Sequence, residues 1–157
     1  MIDSDVMKYK RKIMGLIIQN PNIVEAINAT DILEPDKLIY THIFPFFKTD
    51  GISGVSGTYI TIKLDTTQIM RNNIYKNFIL TICVLVRQSE METIYKGSRT
   101  DVIAGELVKM FAWNDSIGFD LELGQDKEDP LNETYYIRQL IFKTITTNSM
   151  ENGEKVN

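Results

Sequence analysis

The sequence predicts an α+β domain: a largely antiparallel four-stranded sheet with N-terminal helices and one central helix packed on it. Three observations carry this. Apolar residues near the start recur at three- and four-residue steps. Later segments alternate apolar and polar residues or run apolar throughout. Helical and strand segments follow the order α-α-β-β-α-β-β instead of alternating strictly, which favours helices gathered on one side of an antiparallel sheet. The chain has 157 residues, 43% hydrophobic and 24% charged. That is ordinary globular composition, enough for one core, and the expected division is a single domain over residues 1–147 with a polar, disordered tail over 148–157.

The first helix is predicted from Ser4, its cap, to near Asn20. Val6, Tyr9, Ile13, Leu16 and Ile17 form the buried stripe, and Pro21 ends it by disfavouring helical geometry in the preceding residue. A short second helix follows over 23–28. Residues 29–57 read as an irregular connection holding the aromatic cluster 43–47, where Pro45 implies a turn or a sheet edge, and a glycine-spaced loop over 51–57.

Strands are expected over 58–64, 77–87, 117–123 and 134–146. The second is apolar on both faces and should be central, covered on each side. In the third, Ile117, Phe119, Leu121 and Leu123 should point inward. The helix over 98–113 carries the stripe Ile103, Leu107, Met110 and Phe111, and Ser98 with Asp101 resembles a capping box. Asp126, Glu128 and Asp129, flanked by Gly124 and Pro130, read as a solvated hairpin turn.

The inventory restricts chemistry. One histidine, His42, and one cysteine, Cys83, are too few for a structural zinc site and leave a nucleophile–base pair resting on His42 alone. His42 is expected as a satisfied connector residue, and Cys83, inside an apolar run, as a buried thiol. The glycines 51, 54 and 57 lack the Gly-Lys-Ser/Thr ending of a phosphate loop. No paired-carboxylate motif for a hydrolase or nuclease stands out. The expectation is therefore a protein that is not an enzyme, with no catalytic, cofactor or metal residues. The Met-Ile-Asp-Ser-Asp start lacks the pattern of a signal peptide, and no apolar run reaches membrane-spanning length.

Charge is unevenly placed. Residues 114–133 hold seven acids against Lys127 alone, a net of −6, so the rest of the chain carries +2 of the total of −4. Lys8, Arg11 and Lys12 share one face of the first helix at i, i+3, i+4 spacing. They can be a solvated face, or a subunit interface that meets an acidic strand or turn of another copy. An overall acidic balance argues against a dedicated nucleic-acid binder.

Four features together resemble the tail-terminator and head–tail joining (neck) proteins of tailed phages. They are the helical N-terminus, the segment Ile43-Phe-Pro-Phe46, the helix opening Arg99-Thr-Asp101, and the closing runs Gly118-Phe-Asp-Leu-Glu-Leu123 and Tyr135-Tyr-Ile-Arg-Gln-Leu-Ile-Phe142. The resemblance covers roughly residues 40–146, and the Gly51–Gly57 loop and the order Ile117-Gly-Phe119 depart from the family pattern. It implies a virion structural protein, made in a host bacterial cytoplasm. It would form a ring, commonly a hexamer, that caps the tail tube and joins it to the head connector or stopper while DNA passes through the centre. On that reading Asp120, Glu122, Asp126, Glu128 and Asp129 are candidates for a negative channel wall, which lets phosphates slide past. Gly51, Gly54 and Gly57, with Met91 and Tyr95 of the segment 88–96, are candidates for docking loops. Alternatives are a stopper or other neck protein, a tail-tube subunit, or, from another class, a small ligand-binding or regulatory module.

Overall fold

The structure is a computed structural model and describes residues 5–48, 56–68, 76–113, 117 and 120–144. Helix α1 spans Asp5–Ile18 and α2 spans Pro21–Ile27. A two-residue strand β1, Ile43–Phe44, leads to β2 (Thr58–Gln68) and β3 (Lys76–Arg87). Helix α3 (Arg99–Phe111) then precedes β4 (Leu121–Pro130) and β5 (Tyr135–Thr144). The domain is α+β with its first two helices ahead of the strands, as the patterning predicts.

The sheet order is β1-β2-β3-β5-β4. Three neighbouring pairs are antiparallel and β1 is parallel to β2, which makes it a fifth strand, at the sheet edge, where the sequence predicts an edge or a turn. Two residues are too few to show a period, which is why β1 is silent in the sequence. Pro45 follows it and ends the pairing.

Helix α1 buries Ile13, Met14 and Ile17, and Tyr9 sets its ring edge-on against Phe78 of β3 at 5.1 Å. Its expected cap, Ser4, lies outside the described residues. Helix α2 begins two residues earlier than predicted. Pro21 occupies its first turn, where no backbone donor is needed, and the Asn20 side chain accepts from the N–H groups of Asn22 and Ile23. The proline that ends one helix therefore also starts the next. The Ser98 hydroxyl caps α3 by accepting from the Asp101 N–H, as expected.

Ile103, Leu107 and Phe111 of α3 meet Leu80, Ile82, Leu140 and Phe142 in one core with α1 and α2. All of this lies on one side of the sheet. The central strand β3 is therefore not covered on both sides throughout. Cys83 and Leu85 are buried on its second face, but Ile79 is 38% exposed. Among the described residues, the segment around Phe44 and Leu131 packs over part of that face, against Tyr59, Cys83, Leu85, Tyr135 and Ile137.

The predicted turn at 126–129 is instead the body of β4, which runs beyond the expected 117–123 segment and pairs along β5 from Leu121 to Pro130. Ile117 and Leu121 are buried as expected, whereas Phe119 lies outside the described residues. The cause is cross-strand: Glu128 stands opposite Arg138, and Arg138 also grips Asp126, so charged residues of poor strand propensity are held by their partner on β5. A bulge falls between Leu123 and Gln125.

Glu106 of α3 ties the helices together. Its carboxylate accepts from the Asn22 and Asn20 amides at 3.2 and 3.3 Å and from Lys109 at 3.2 Å. The Asn22 hydrogen bond, ahead of the others, holds this carboxyl below its ordinary value of 4.5. Because the folded value is depressed, the stabilisation is present above the unfolded value and fades as pH falls through the folded one. The melting temperature should therefore drop below about pH 4.5 more steeply in the natural protein than in Glu106→Gln, a difference that thermal denaturation across pH 3–7 reads directly.

Candidate functional site: an open sheet face between two charged edges

The strand registers fix which side chains point to the face away from the helices, where Tyr59, Thr61, Cys83 and Leu85 are buried and the rows beyond them are more open. Tyr59, Leu85, Ile137 and Asp129 form one row across β2, β3, β5 and β4, and Thr61, Cys83, Gln139 and Lys127 form the next. Lys63, Thr81, Ile141 and Gln125 follow, then Asp65, Ile79, Lys143 and Glu122. Apolar, amide, hydroxyl and oppositely charged groups are thus interleaved, with lysines matched by acids. Phe47, Lys127 and Asp129 border a hollow of about 460 Å³ over this face, floored by Thr61, Thr81, Cys83, Ile137, Gln139 and Ile141.

One corner is closed by a polar network. His42 is buried, its Nδ1–H donating to the Thr58 carbonyl at 2.9 Å, with its ring stacked on Tyr59. Tyr59 and Tyr135 share a hydroxyl contact of 3.3 Å. Burial, reinforced by that contact, raises the Tyr59 phenol well above its ordinary value. Arg87 pairs with Glu90, whose other oxygen accepts from the Gly57 N–H at 2.8 Å. Burial likewise pushes the Cys83 thiol up, consistent with a packed side chain.

The sequence-predicted site residues fall in separate places. Lys8, Arg11 and Lys12 are exposed on α1, which packs on β2 beside β1. The five candidate acids do not form one surface. Glu122 and Asp129 lie on the open face, and Asp120 is exposed just before β4. Asp126 and Glu128 turn to the helix side, where the Arg138 guanidinium binds Asp126 through Nε and Nη2 at 2.9 and 3.1 Å. Arg138 also reaches Glu128 at 3.4 Å and pairs with Asp101 at the start of α3. Asp126, above all, holds the guanidinium charged by raising it further above its ordinary value.

Among the candidate loop residues, Gly51 and Gly54 lie outside the described residues. Gly57 packs against the Arg87 side chain. Met91 packs partly against the core, and the Tyr95 hydroxyl donates to Glu25. The segment between β3 and α3 is held by Arg99, whose guanidinium donates to the carbonyls of Glu90, Ala26 and Glu92 at 2.8, 2.5 and 3.0 Å. Arg99, Asp101 and Arg138, which carry part of the resemblance, are thus fastenings between elements. Sequence reasoning missed the Arg138 cluster, although a lone arginine within an apolar strand, with acids nearby in sequence, is a usable signal. Among the described residues no group of three or more His, Cys, Asp or Glu is placed to hold a metal ion, and no helix is long and apolar enough to cross a membrane.

The YomW family profile, of a phage-derived, Bacillus prophage type, matches residues 11–144. The chain belongs to the YomW family. The match runs from the middle of α1 to the end of β5, so the sheet, the second half of α1, α2, α3 and the Arg99 and Arg138 fastenings of this YomW domain lie within it. The protein is accordingly phage-related. No curated protein matches the YomW chain in sequence.

Proposed function

We propose that this YomW-family protein is a non-enzymatic structural subunit of a phage particle, a tail terminator that assembles as a ring, caps the tail tube and joins it to the head connector. The observation that carries this reading is that, among the described residues, helices cover one face of the sheet only. Its other face interleaves apolar and amide groups with oppositely charged ones, a pattern that a partner surface of complementary charge fits. Membership of a phage-derived family and the resemblance to neck proteins support the same reading. In such a ring DNA passes through the lumen without being read. Arg138 neutralises part of the charge of Asp126 and Glu128, so these two acids would add little to a repelling channel wall.

Native mass spectrometry and electron microscopy of the purified protein, alone and with its tail-tube protein, test this. A closed ring, of six copies on the terminator reading, is the expected result. A protein that stays monomeric in both conditions and leaves tube length unchanged refutes it. Rings that stack into long tubes would point to a tube subunit instead. The hollow beside Phe47 favours a second reading, a small ligand-binding module, whose mark would be a monomer stabilised against heat by a small molecule.

A further inference from the structure

Two exposed features sit at opposite ends of the sheet order. At the β1–β2 end, α1 and the segment before β1 enclose a trough of about 590 Å³ lined by Met7, Lys10, Arg11, Met14, Ile39, Tyr40 and Pro45. The Lys10 ammonium donates to the Pro45 carbonyl at 2.7 Å and ties helix to segment. Tyr40 is 64% exposed and sits at φ 69°, a left-handed geometry costly for a tyrosine and held by its N–H bond to the Ile43 carbonyl at 2.8 Å. Lys10 and Arg11 bring positive charge to its lining, and Lys8 and Lys12 are exposed on the neighbouring face of α1.

At the other end, α3 packs on β5, β3 and β4, and just past it Trp113 projects with 69% of its surface exposed. This residue too is left-handed, at φ 61°, and its N–H is bonded to the Leu121 carbonyl at the head of β4 at 2.6 Å. Asp120 and Glu122 stand beside that anchor. A trough with cations and an indole with anions thus lie on opposite sides of one chain, each carried by a residue held in a strained backbone state.

We propose that Trp113 of one copy seats in the α1 trough of the next, with Asp120 and Glu122 facing Lys8, Arg11 and Lys12. This rests on the ring reading above and names its contact. The trough exceeds the volume of an indole, its methionines adapt to an aromatic guest, and tryptophan is the residue type that most often anchors interfaces. The contact is head-to-tail, so an open chain of copies keeps one unfilled trough at one end and one unfilled indole at the other until it closes on itself. A second copy is the favoured occupant because both complementary halves, opposite in charge, are present on the same molecule.

Three measurements test it. Trp113→Ala and, from the other side, Met7→Asp should each weaken self-association at least about thirtyfold in sedimentation, with unchanged circular dichroism confirming the fold. Arg11→Glu and Asp120→Lys should each weaken it, and the two together should recover most of the loss. Finally, Lys8→Cys and Asp120→Cys proteins, treated with a short bismaleimide, should crosslink when mixed and not alone, and the double variant should give a ladder ending in a covalent ring. Crosslinks between like variants, or rings that form from Trp113→Ala with undiminished affinity, overturn the contact and leave the ring reading standing. Intact Trp113→Ala rings that no longer bind the tube protein also overturn it, assigning the indole to that partner. A natural protein that never associates with itself removes both.

Discussion

Replacing Phe111 by alanine is expected to lower the unfolding free energy by about 3–5 kcal/mol, the usual cost of emptying a fully buried aromatic site. Phe111 is wholly inaccessible and meets Phe142 of β5 edge-to-face at 6.1 Å, so the cavity would open between α3 and the sheet, where both partners are fixed by their own elements. At this chain length the loss corresponds to a fall in melting temperature of roughly 6–20 °C. Differential scanning calorimetry checks it, and a change smaller than about 1 kcal/mol would show that the α3 contact is not what holds the helix down. Phe111 is also the last residue of α3, two positions before Trp113. Self-association should therefore weaken in Phe111→Leu, which keeps most of the volume, only as far as the end of the helix shifts.

Gly57→Ala should cost about 1–3 kcal/mol, the range for overpacking a site that cannot yield. A methyl group there would stand 2.7 Å from the Arg87 Cβ and 2.8 Å from its Cζ. The first atom is fixed by the backbone of β3. The second is held by the pairing with Glu90, which in turn accepts from the Gly57 N–H, so the group that would have to move is bound by the residue that displaces it. The mutation should therefore lower stability in urea denaturation, and adding Arg87→Ala to Gly57→Ala should cost less than the separate effects summed. Strict additivity would mean that the two residues do not share the strain.

Much of the architecture is legible in the sequence because it is local. The apolar stripe of α1, the Ser98 cap and the two-residue period of β2 each depend on neighbours a few positions away. The parts that are not legible depend on distant partners. The run Gln125-Asp-Lys-Glu-Asp129 has the composition of a turn, and it is a strand because β5 lies beside it and Arg138 grips its acids. Pro21 reads as a stop, and its second role appears only once Asn20 is seen capping α2. The candidate site divides in the same way. The basic face of α1 follows from helical spacing alone. The trough beneath it needs Ile39, Tyr40 and Pro45 brought against Met7 and Met14, and the outward indole of Trp113 needs the bond to Leu121, a residue eight positions on. Likewise, the acids counted as one patch in sequence are split between the two faces of the sheet by the alternation of β4 and by its bulge.

That edge has a consequence for how copies can grow. The outer rim of β4 is interrupted by the bulge at Leu123/Gln125, studded with Asp126, Lys127, Glu128 and Asp129, and closed by Pro130. A strand so built is a poor template for backbone zippering by an incoming chain, which is how runaway fibrils begin. On the ring reading proposed above, copies would then meet through side chains, and a subunit at high concentration would be guarded against open-ended growth along this edge.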